Sequence, residues 1–476
     1  MSELLGTSDD TPSSAAQIAE VNLNIENTVS GEGSLSVTEK NHDRENETEV
    51  AYNWPSYGFD KCATHITGAF EEYSSGVGDN YTNGCKWAPD GTCLITSSAD
   101  NCLRIFNLPS ELHCKATWEN DTLPEMKAVL RMKEGDLIYD YCWYPPMSSW
   151  YPETCCLIST SKGNPIHLWN AYTGVLCGSY IPINHLDEVV SAYSITFNHS
   201  GDKIYSGFCN LIRVFDTSRP GGISEKRILK VSDSDYHCRQ TGIVSCFAVH
   251  PLGEQTYAVG NYLKTVGIYA EPGGVHVAQL RGHTGGITHL RFSADGTKLY
   301  SGARKDPKIL CWDMRNLDSP LFAMKREVNT NQRLTFDMTP DGRYFISGNT
   351  NGKVTVWDLD EMPNQWDNEL TEPLLKPAKE IFASKDCVNG VSVHQQYPIL
   401  ATSMGQWHIK EPNSDSEDDE LGDGKESSED TISITRTGEN NIVKEAPVNT
   451  FSSRPLLRNI NSELIDNSIK LWWIGS

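Results

Sequence analysis

A short segment that ends in an aromatic residue recurs seven times in this chain, and the recurrence restricts the fold more than any other feature. The aromatic residues are Phe106, Trp169, Phe215, Tyr269, Trp312, Trp357 and Trp472, at spacings of 63, 46, 54, 43, 45 and 115 residues. Several spacings are close to the roughly 40–45 residues of a four-stranded propeller blade. We therefore predict an all-β chain with seven blades, and insertions where the spacing is longer.

Two further strand-like runs precede each aromatic segment. The second runs include CLITSSAD and KLYSGA, and first runs such as LTFDMTPDG end in Asp-Gly, which is a hairpin signal. The sequence ends with a third strand, so the seventh blade needs an outer strand from elsewhere. We expect residues 61–70, KCATHITGAF, to supply that strand and to close the ring.

The fifth repeat, with LRGHTGGITHL before its first strand and ILCWD at its third, resembles a WD repeat. The resemblance implies a hydrogen-bonded tetrad of His283, Ser301, Asp306 and Trp312 that holds the blade together. Buried imidazole and indole N–H groups need partners, so this interpretation is structural and not catalytic. The fourth repeat, VGIYAEPGG, lacks the Trp-Asp pair, and we expect its blade to be held less tightly.

The negative charge of the chain is concentrated in two stretches. The formal net charge is −23; residues 1–50 carry 11 acids against 2 bases, and residues 411–430 carry 10 acids against one lysine. Such segments cannot bury enough apolar surface to fold. We expect a disordered acidic tail over residues 1–50 and a propeller over 51–476, with a disordered acidic insertion at 408–465 in the seventh blade.

Within the insertion, Ser414 and Ser416 each precede an acidic residue by three positions. This spacing makes them candidate sites for acid-directed phosphorylation, and a solvated spacer is the alternative interpretation of the segment. Mass spectrometry of protein from cells tests the prediction, because two unmodified serines would contradict it.

Several functional classes lack support in the sequence. No apolar run reaches about 18 residues, and the N-terminus has no basic region of a signal peptide, so we expect no membrane partner. HExxH, GxSxG and P-loop patterns are missing, so we expect no enzyme, no cofactor and no small-molecule substrate. The 14 cysteines include no CxxC pair. They are typical of reduced core cysteines, so we also expect no metal site.

Positive residues collect in the loops of one predicted rim. In a propeller, the turns between second and third strands lie at the same rim as the loops that lead into the first strands. The cations in these loops are Lys162, Arg239, Lys264, Arg304, Lys305, Arg333 and Lys385, and Gln240, Gln332 and Tyr262 accompany them. Cations with amides and rings suit a folded or single-stranded RNA loop. A scaffold that binds an acidic or phosphorylated peptide would use similar residues and is the alternative.

One turn of that rim differs from the others. SGARKD in the fifth repeat spans six residues, where SGNTN and TSSAD span five. The extra residue should push Arg304 and Lys305 outward from the rim. We expect alanine at Arg304, Lys305 or Arg333 to weaken RNA binding and to leave the melting temperature near that of the wild type.

Several longer stretches resemble one WD-repeat family, the telomerase Cajal body proteins. They include NCLRIFNLP (101–109), GDLIYDYCWYPPMSS (135–149), NPIHLWNAYTG (164–174) and EVNTNQRLTFDMTPDG (327–342), and the likeness covers most of residues 85–407. It implies recognition of a box motif in the terminal loop of small Cajal body RNAs and, where present, telomerase RNA. It further implies delivery of these ribonucleoproteins to Cajal bodies in the nucleus. The implied partners are the box H/ACA core proteins and the cytosolic chaperonin that folds WD-repeat rings, which allows a cytoplasmic pool.

Overall fold

The structure is a computed structural model. It describes residues 55–59, 63–74, 79–113, 117–118, 122–229, 240–253, 255–363, 365–366, 372–408 and 465–475. The predicted tail, Arg239, Ser414 and Ser416 lie outside the described residues. Contacts divide the chain into one unit of residues 1–406 with 465–476 and a second unit of residues 407–464, in which only Trp407 and His408 are described.

The described strands form seven sheets, and the predicted seven-bladed β-propeller is confirmed. Each blade contains four consecutive antiparallel strands, or nearly so, from the inner to the outer edge. Blade one has β2 (Thr82–Trp87), β3 (Cys93–Ser98), β4 (Cys102–Asn107) and β5 (Leu130–Lys133). Blade two has β6 (Ile138–Trp143), β7 (Cys156–Ser161), β8 (Ile166–Asn170) and β9 (Leu176–Tyr180). Blade three has β10 (Ser194–Phe197), β11 (Lys203–Phe208), β12 (Leu211–Asp216) and β13 (Glu225–Ile228).

The second half of the ring repeats this plan. Blade four has β14 (Val244–Val249), β15 (Thr256–Asn261), β16 (Thr265–Ala270) and β17 (Val275–Arg281). Blade five has β18 (Ile287–Phe292), β19 (Lys298–Ala303), β20 (Lys308–Asp313) and β21 (Phe322–Lys325). Blade six has β22 (Phe336–Met338), β23 (Tyr344–Gly348), β24 (Lys353–Asp358) and β27 (Lys379–Phe382). The described helices are all short: α1 (Glu71–Ser74) and two 3-10 turns (Ser110–Leu112, Pro152–Thr154).

Blade seven combines both ends of the described propeller. Its strands are β28 (Val388–Val393), β29 (Ile399–Met404), β30 (Ile469–Trp473) and, outermost, β1 (Thr64–Ala69). Strand β1 pairs antiparallel with β30, so the expected closing strand is confirmed. Closure of this kind holds the first and last blades together.

Blade five carries two extra strands that the repeat pattern does not predict. Between β24 and β27 the chain forms β25 (Gln365–Trp366) and β26 (Pro373–Leu375), and β26 pairs in parallel with β21. The connection of blade six therefore covers the outer edge of its neighbour. An added strand satisfies backbone groups that a bare edge leaves unpaired.

The core lies between neighbouring blades, and the repeated aromatic residues are part of it. Phe106, Phe215, Trp312 and Trp357 expose at most 1% of their surface. Eight of the eleven described cysteines are buried, and none of the eleven is in a disulfide. Burial raises the pKa of the Cys246 thiol to about 12, which makes such a thiol unreactive.

The four residues of the predicted tetrad form a continuous chain of hydrogen bonds in blade five. The Asp306 carboxylate lies 2.9 Å from His283 Nδ1, and His283 Nε2 lies 2.8 Å from Ser301 Oγ. Trp312 Nε1 donates to the same Ser301 oxygen at 2.9 Å. Asp306 also accepts the backbone N–H groups of Thr284 and Lys308, so it fixes the turn that carries Arg304 and Lys305.

Other blades are held by different side chains. In blade two, Glu134 accepts from Ser161 Oγ at 2.9 Å and lies 2.9 Å from His167 Nδ1. In blade four, Gln240 Nε2 donates to Val259 O at 2.7 Å, and the Tyr269 hydroxyl donates to Gln240 Oε1 at 2.7 Å. The expectation that blade four is held less tightly is wrong, because a buried glutamine replaces the missing Trp-Asp contacts. Gln240 is 1% exposed, so its interpretation as a surface amide is also wrong.

The tetrad predicts an acid dependence of stability. Burial alone would raise the pKa of Asp306, but hydrogen bonds from His283 and the backbone outweigh it and hold the pKa well below its usual range. A carboxylate with a lowered folded-state pKa stabilises the protein above its unfolded pKa, and this stability is lost as the pH falls. Between about pH 5 and pH 2, Asp306→Ala should therefore lose less melting temperature than the wild type. Equal losses in calorimetric scans of the two proteins would contradict this assignment.

Candidate nucleic-acid interface

The turns between second and third strands and the loops that lead into the inner strands meet at one rim, which we call the turn face. Lys162 N donates to Leu137 O at 2.9 Å, Tyr262 N donates to Ile243 O at 3.0 Å, and Arg304 N donates to Gly286 O at 2.9 Å. Thr350 N to Glu327 O and Gly405 N to Cys387 O repeat the pattern in the next two blades. Because each turn is bonded to a leading loop, the predicted side chains share this face.

Five of the predicted cations reach the surface of the turn face. Lys162, Lys264, Lys305 and Lys385 are exposed, and Arg304 is half-buried. Lys264 and Lys305 adopt positive φ values of 69° and 50°, as expected at the tips of tight turns. Arg239 lies outside the described residues, and its role stays a prediction.

The turn of blade five has the extra residue that the sequence predicted. Gly302 pairs with Ile309, so six residues separate the partners. Five residues separate the corresponding partners in blades one, two, four and six, and four separate those in blade three. The longest of these six turns thus carries exposed Lys305.

Arg304 lies against an aromatic ring from the neighbouring blade. Its guanidinium carbon is 4.2 Å from the centroid of the Tyr262 ring. Gly285 permits this arrangement, because an added Cβ there would lie 1.8 Å from the backbone oxygen of Arg304. A guanidinium held over a ring is a planar, charged surface on which a base can stack.

Gln332 and Arg333 lie over the central channel and not on the outer rim. Arg333 Nη1 donates to Asp140 Oδ1 at 3.0 Å, and Nη2 donates to Ser245 O at 2.9 Å. Burial would lower the pKa of Arg333, but the charge of Asp140 outweighs it and raises the pKa. Gln332 Nε2 donates to Thr82 O at 3.3 Å. The loop into blade six therefore crosses the channel mouth.

These contacts change one expectation for Arg333. Its guanidinium joins side chains and backbone of other blades, and the side chain is only 27% exposed. Removing it would leave Asp140 without its closest cation, so the expectation of an unchanged melting temperature is wrong. A contact of Arg333 with RNA stays a prediction, and it applies to the exposed part of the side chain.

Two tyrosines on the turn face were missed by the sequence reasoning. The rings of Tyr139 and Tyr193 lie 5.5 Å apart, where the chain enters blades two and three. Tyr139 lies at a register shift between Ile138 and Asp140, and such a bulge redirects a side chain. Both rings are half-buried. Single-stranded RNA bases stack on rings of this kind.

The acids nearest the predicted cations do not reach solvent. Asp306 is 0% exposed and Asp386 is 3% exposed, and both accept backbone N–H groups. The half-buried Asp136 remains beside Leu137. The surface around Arg304 and Lys305 is therefore more positive than the sequence of these loops indicates.

Within the described part of the chain, no group of three or more His, Cys, Asp or Glu side chains is placed to hold a metal ion. None of its helices is long and apolar enough to cross a bilayer. The turn face is thus the principal candidate site in the described propeller.

Comparison with known proteins agrees with the repeat assignment. The family model described as "WD domain, G-beta repeat" matches residues 68–107, 274–313 and 333–358. Together with the seven sheets, these matches define the chain as a WD-repeat β-propeller protein.

Similar proteins extend this result to most of the chain. It is 42% identical over 416 residues to Telomerase Cajal body protein 1 of Mus musculus, covering 87% of this chain and 75% of the mouse protein. The human protein of that name is 45% identical over 379 residues, covering 79% and 66% of the two chains. The homolog of Drosophila melanogaster is 34% identical over 409 residues, covering 84% and 67%. The chain belongs to the telomerase Cajal body protein family, as the resemblance implied.

Proposed function

We propose that this protein is a non-enzymatic RNA-binding assembly and trafficking factor. It recognises the box motif in the terminal loop of small Cajal body RNAs and, where present, telomerase RNA. The observation that carries the proposal is exposed Lys305 beside the stacked Arg304 and Tyr262, on a rim whose nearest acids are buried.

The residues of the turn face divide into two roles. Exposed Lys162, Lys264, Lys305 and Lys385 contact phosphates, which position a nucleic acid without reading its sequence. Tyr262 with Arg304, and Tyr139 with Tyr193, stack on unpaired bases of the loop. Stacking sites on several blades suit a loop with splayed bases better than a regular duplex.

The family supplies the proposed place and partners. The names of the relatives refer to telomerase and to the Cajal body. We place this chain in the nucleus, in Cajal bodies, where it delivers box H/ACA ribonucleoproteins. The box H/ACA core proteins and the cytosolic chaperonin are its proposed protein partners.

The proposal predicts salt-dependent binding to a box-containing RNA loop. In filter binding, log Kd should rise linearly with log salt, with a slope of about 0.7 for each neutralised phosphate. The matched control is the same hairpin with a scrambled box, which should bind more weakly at every salt concentration.

A competing phosphoserine peptide separates RNA binding from the scaffold function. The peptide should displace the RNA only at concentrations well above the RNA Kd, because it offers a single phosphate and no bases. A peptide that binds as tightly as the RNA would favour the scaffold, as would equal affinity for the scrambled hairpin. Crosslinking and sequencing of bound cellular RNA then identifies the natural ligands.

A further inference from the structure

A cavity of about 130 Å³ opens between the outer strands of blades three and four, apart from the turn face. Its walls are Arg227, Ile228, Leu229, Tyr257, Tyr269, Gly274 and His276. An engineered cavity of about 150 Å³ in another protein takes up benzene, so this volume suits one six-membered ring.

The walls of this cavity are mainly aromatic. The rings of Tyr257 and Tyr269 are stacked with centroids 5.4 Å apart, and His276 meets Tyr269 edge-on at 5.1 Å. Gly274 keeps the space open, because an added Cβ would lie 2.6 Å from the Tyr257 hydroxyl. Faces and edges of fixed rings attract a further aromatic ring.

His276 gives the cavity a polar group that lacks a partner. Tyr269 pairs with His276 while Ile268 pairs with Ala278, so Val277 is an extra residue of a bulge that turns His276 toward Tyr269. Both ring nitrogens are buried without a hydrogen-bond partner among the described residues. Burial lowers the pKa of His276, which favours the neutral ring with one donor and one acceptor. A hydroxyl group can bond to either nitrogen.

The charges at the cavity favour a neutral ligand. The Arg227 guanidinium lies 2.8 Å from Glu225 and 2.7 Å from Glu271, and it also donates to the Tyr257 hydroxyl at 3.0 Å. The single cation of the wall is therefore already neutralised by two carboxylates. A phosphate or carboxylate would enter against their charge.

The surface around the cavity is apolar and has an open strand edge. Ile223, Ile228, Val275 and Val277 are 85%, 70%, 64% and 59% exposed, a grouping typical of interaction sites. Strand β17 is, with seven residues, the longest of the seven outermost blade strands, and no described strand pairs with its outer edge. In blade five the corresponding edge is covered by β26, which shows that the side of this propeller can accept an added strand.

We propose that an extended segment of a partner protein lies along β17 and inserts a tyrosine side chain into this cavity. The tyrosine ring packs between Tyr257, Tyr269 and Ile228, and its hydroxyl bonds to His276. Apolar residues on either side of the tyrosine cover Val275 and Val277. Main-chain bonds to the open edge supply affinity, and the cavity supplies specificity.

The first test uses p-cresol, the side-chain analogue of tyrosine, and toluene, which lacks the hydroxyl. In labelled full-length protein, p-cresol should shift the NMR signals of the His276 ring and bind about fivefold more tightly than toluene. His276→Phe should abolish that difference, while His199→Phe, at an exposed histidine of blade three, should preserve it. The comparison of the two ligands on wild-type protein stands even if a variant fails to fold. An unshifted His276, or equal binding of both ligands, overturns the proposal.

The second test uses the peptide acetyl-Thr-Val-Tyr-Val-Thr-amide. It should bind at least about tenfold more tightly than p-cresol, because the strand adds contacts to those of the ring. Phenylalanine in place of the tyrosine should cost about fivefold, and phosphotyrosine should bind more weakly still. A peptide no tighter than p-cresol overturns the docking surface, and a tighter phosphotyrosine peptide overturns the assigned ligand.

Discussion

A chain that lacks residues 55–75 is expected to show no cooperative unfolding transition. The deletion removes β1, whose residues pair with β30 from Thr64 to Ala69, and leaves β30 as a bare edge. It also removes Ile66, which is fully buried, and Tyr73, whose hydroxyl lies 2.8 Å from Thr96 Oγ1 in blade one. Because the ring then lacks its closing contact, all seven blades lose stability together. Calorimetry and circular dichroism measure the transition.

A rearranged chain separates loss of closure from loss of length. Moving residues 55–75 behind Ser476, on a short Gly/Ser linker, should restore the transition, because Thr64 pairs with Trp473 in the antiparallel sheet. Replacing the same residues by a Gly/Ser linker of equal length should not restore it. A deletion protein with the melting temperature of the wild type would show that β1 is not the closing strand.

Asp140→Ala is expected to destabilise the propeller by about 3–5 kcal/mol, as loss of one partner of a buried ion pair does. The Asp140 side chain is 7% exposed and lies 3.0 Å from Arg333 Nη1 and 3.6 Å from Lys86 Nζ. Its other oxygen accepts the backbone N–H of Ile195 at 3.2 Å. One carboxylate thus joins blades one, two and three to the loop of blade six, and its loss leaves Arg333 uncompensated. Urea denaturation measures the change.

Two further variants show whether the ion pair causes the loss. Asp136→Ala, four residues earlier and half-buried, should cost less than about 1 kcal/mol. In Asp140→Ala/Arg333→Ala, the destabilisation should be smaller than the sum of the two single changes, because no uncompensated charge remains. An Asp140→Ala protein as stable as Asp136→Ala would contradict the central ion pair.

The repeat pattern predicted those parts of the fold that depend on local sequence. The aromatic residue of each third strand located seven blades, and the length of SGARKD located the extended turn. The strands β25 and β26 were not predicted, because two or three residues are too few to show a strand pattern. Their pairing with β21 also depends on a neighbouring blade.

The candidate site was predicted less completely than the fold. The turn cations could be located, since a turn between two identified strands has a known rim. The pairing of Asp140 with Arg333 joins residues 193 positions apart, and a single sequence contains no signal for it. The burial of Gln240 likewise follows from its bond to Tyr269, whereas polarity alone favoured exposure. The stacked pair of Tyr139 and Tyr193 requires a bulge that composition does not indicate.

The affinity of Arg304→Ala/Lys305→Ala for the box-containing RNA loop tests most directly whether the turn face binds RNA. The double variant should bind about tenfold or more weakly and with a lower salt slope, because a stacking surface and a phosphate contact are lost. Its melting temperature should stay near that of the wild type, since Asp306 still fixes the turn. Lys127→Ala, at an exposed lysine in the connection between β4 and β5, is the control and should bind as the wild type does. Unchanged affinity in the double variant would contradict the proposed site.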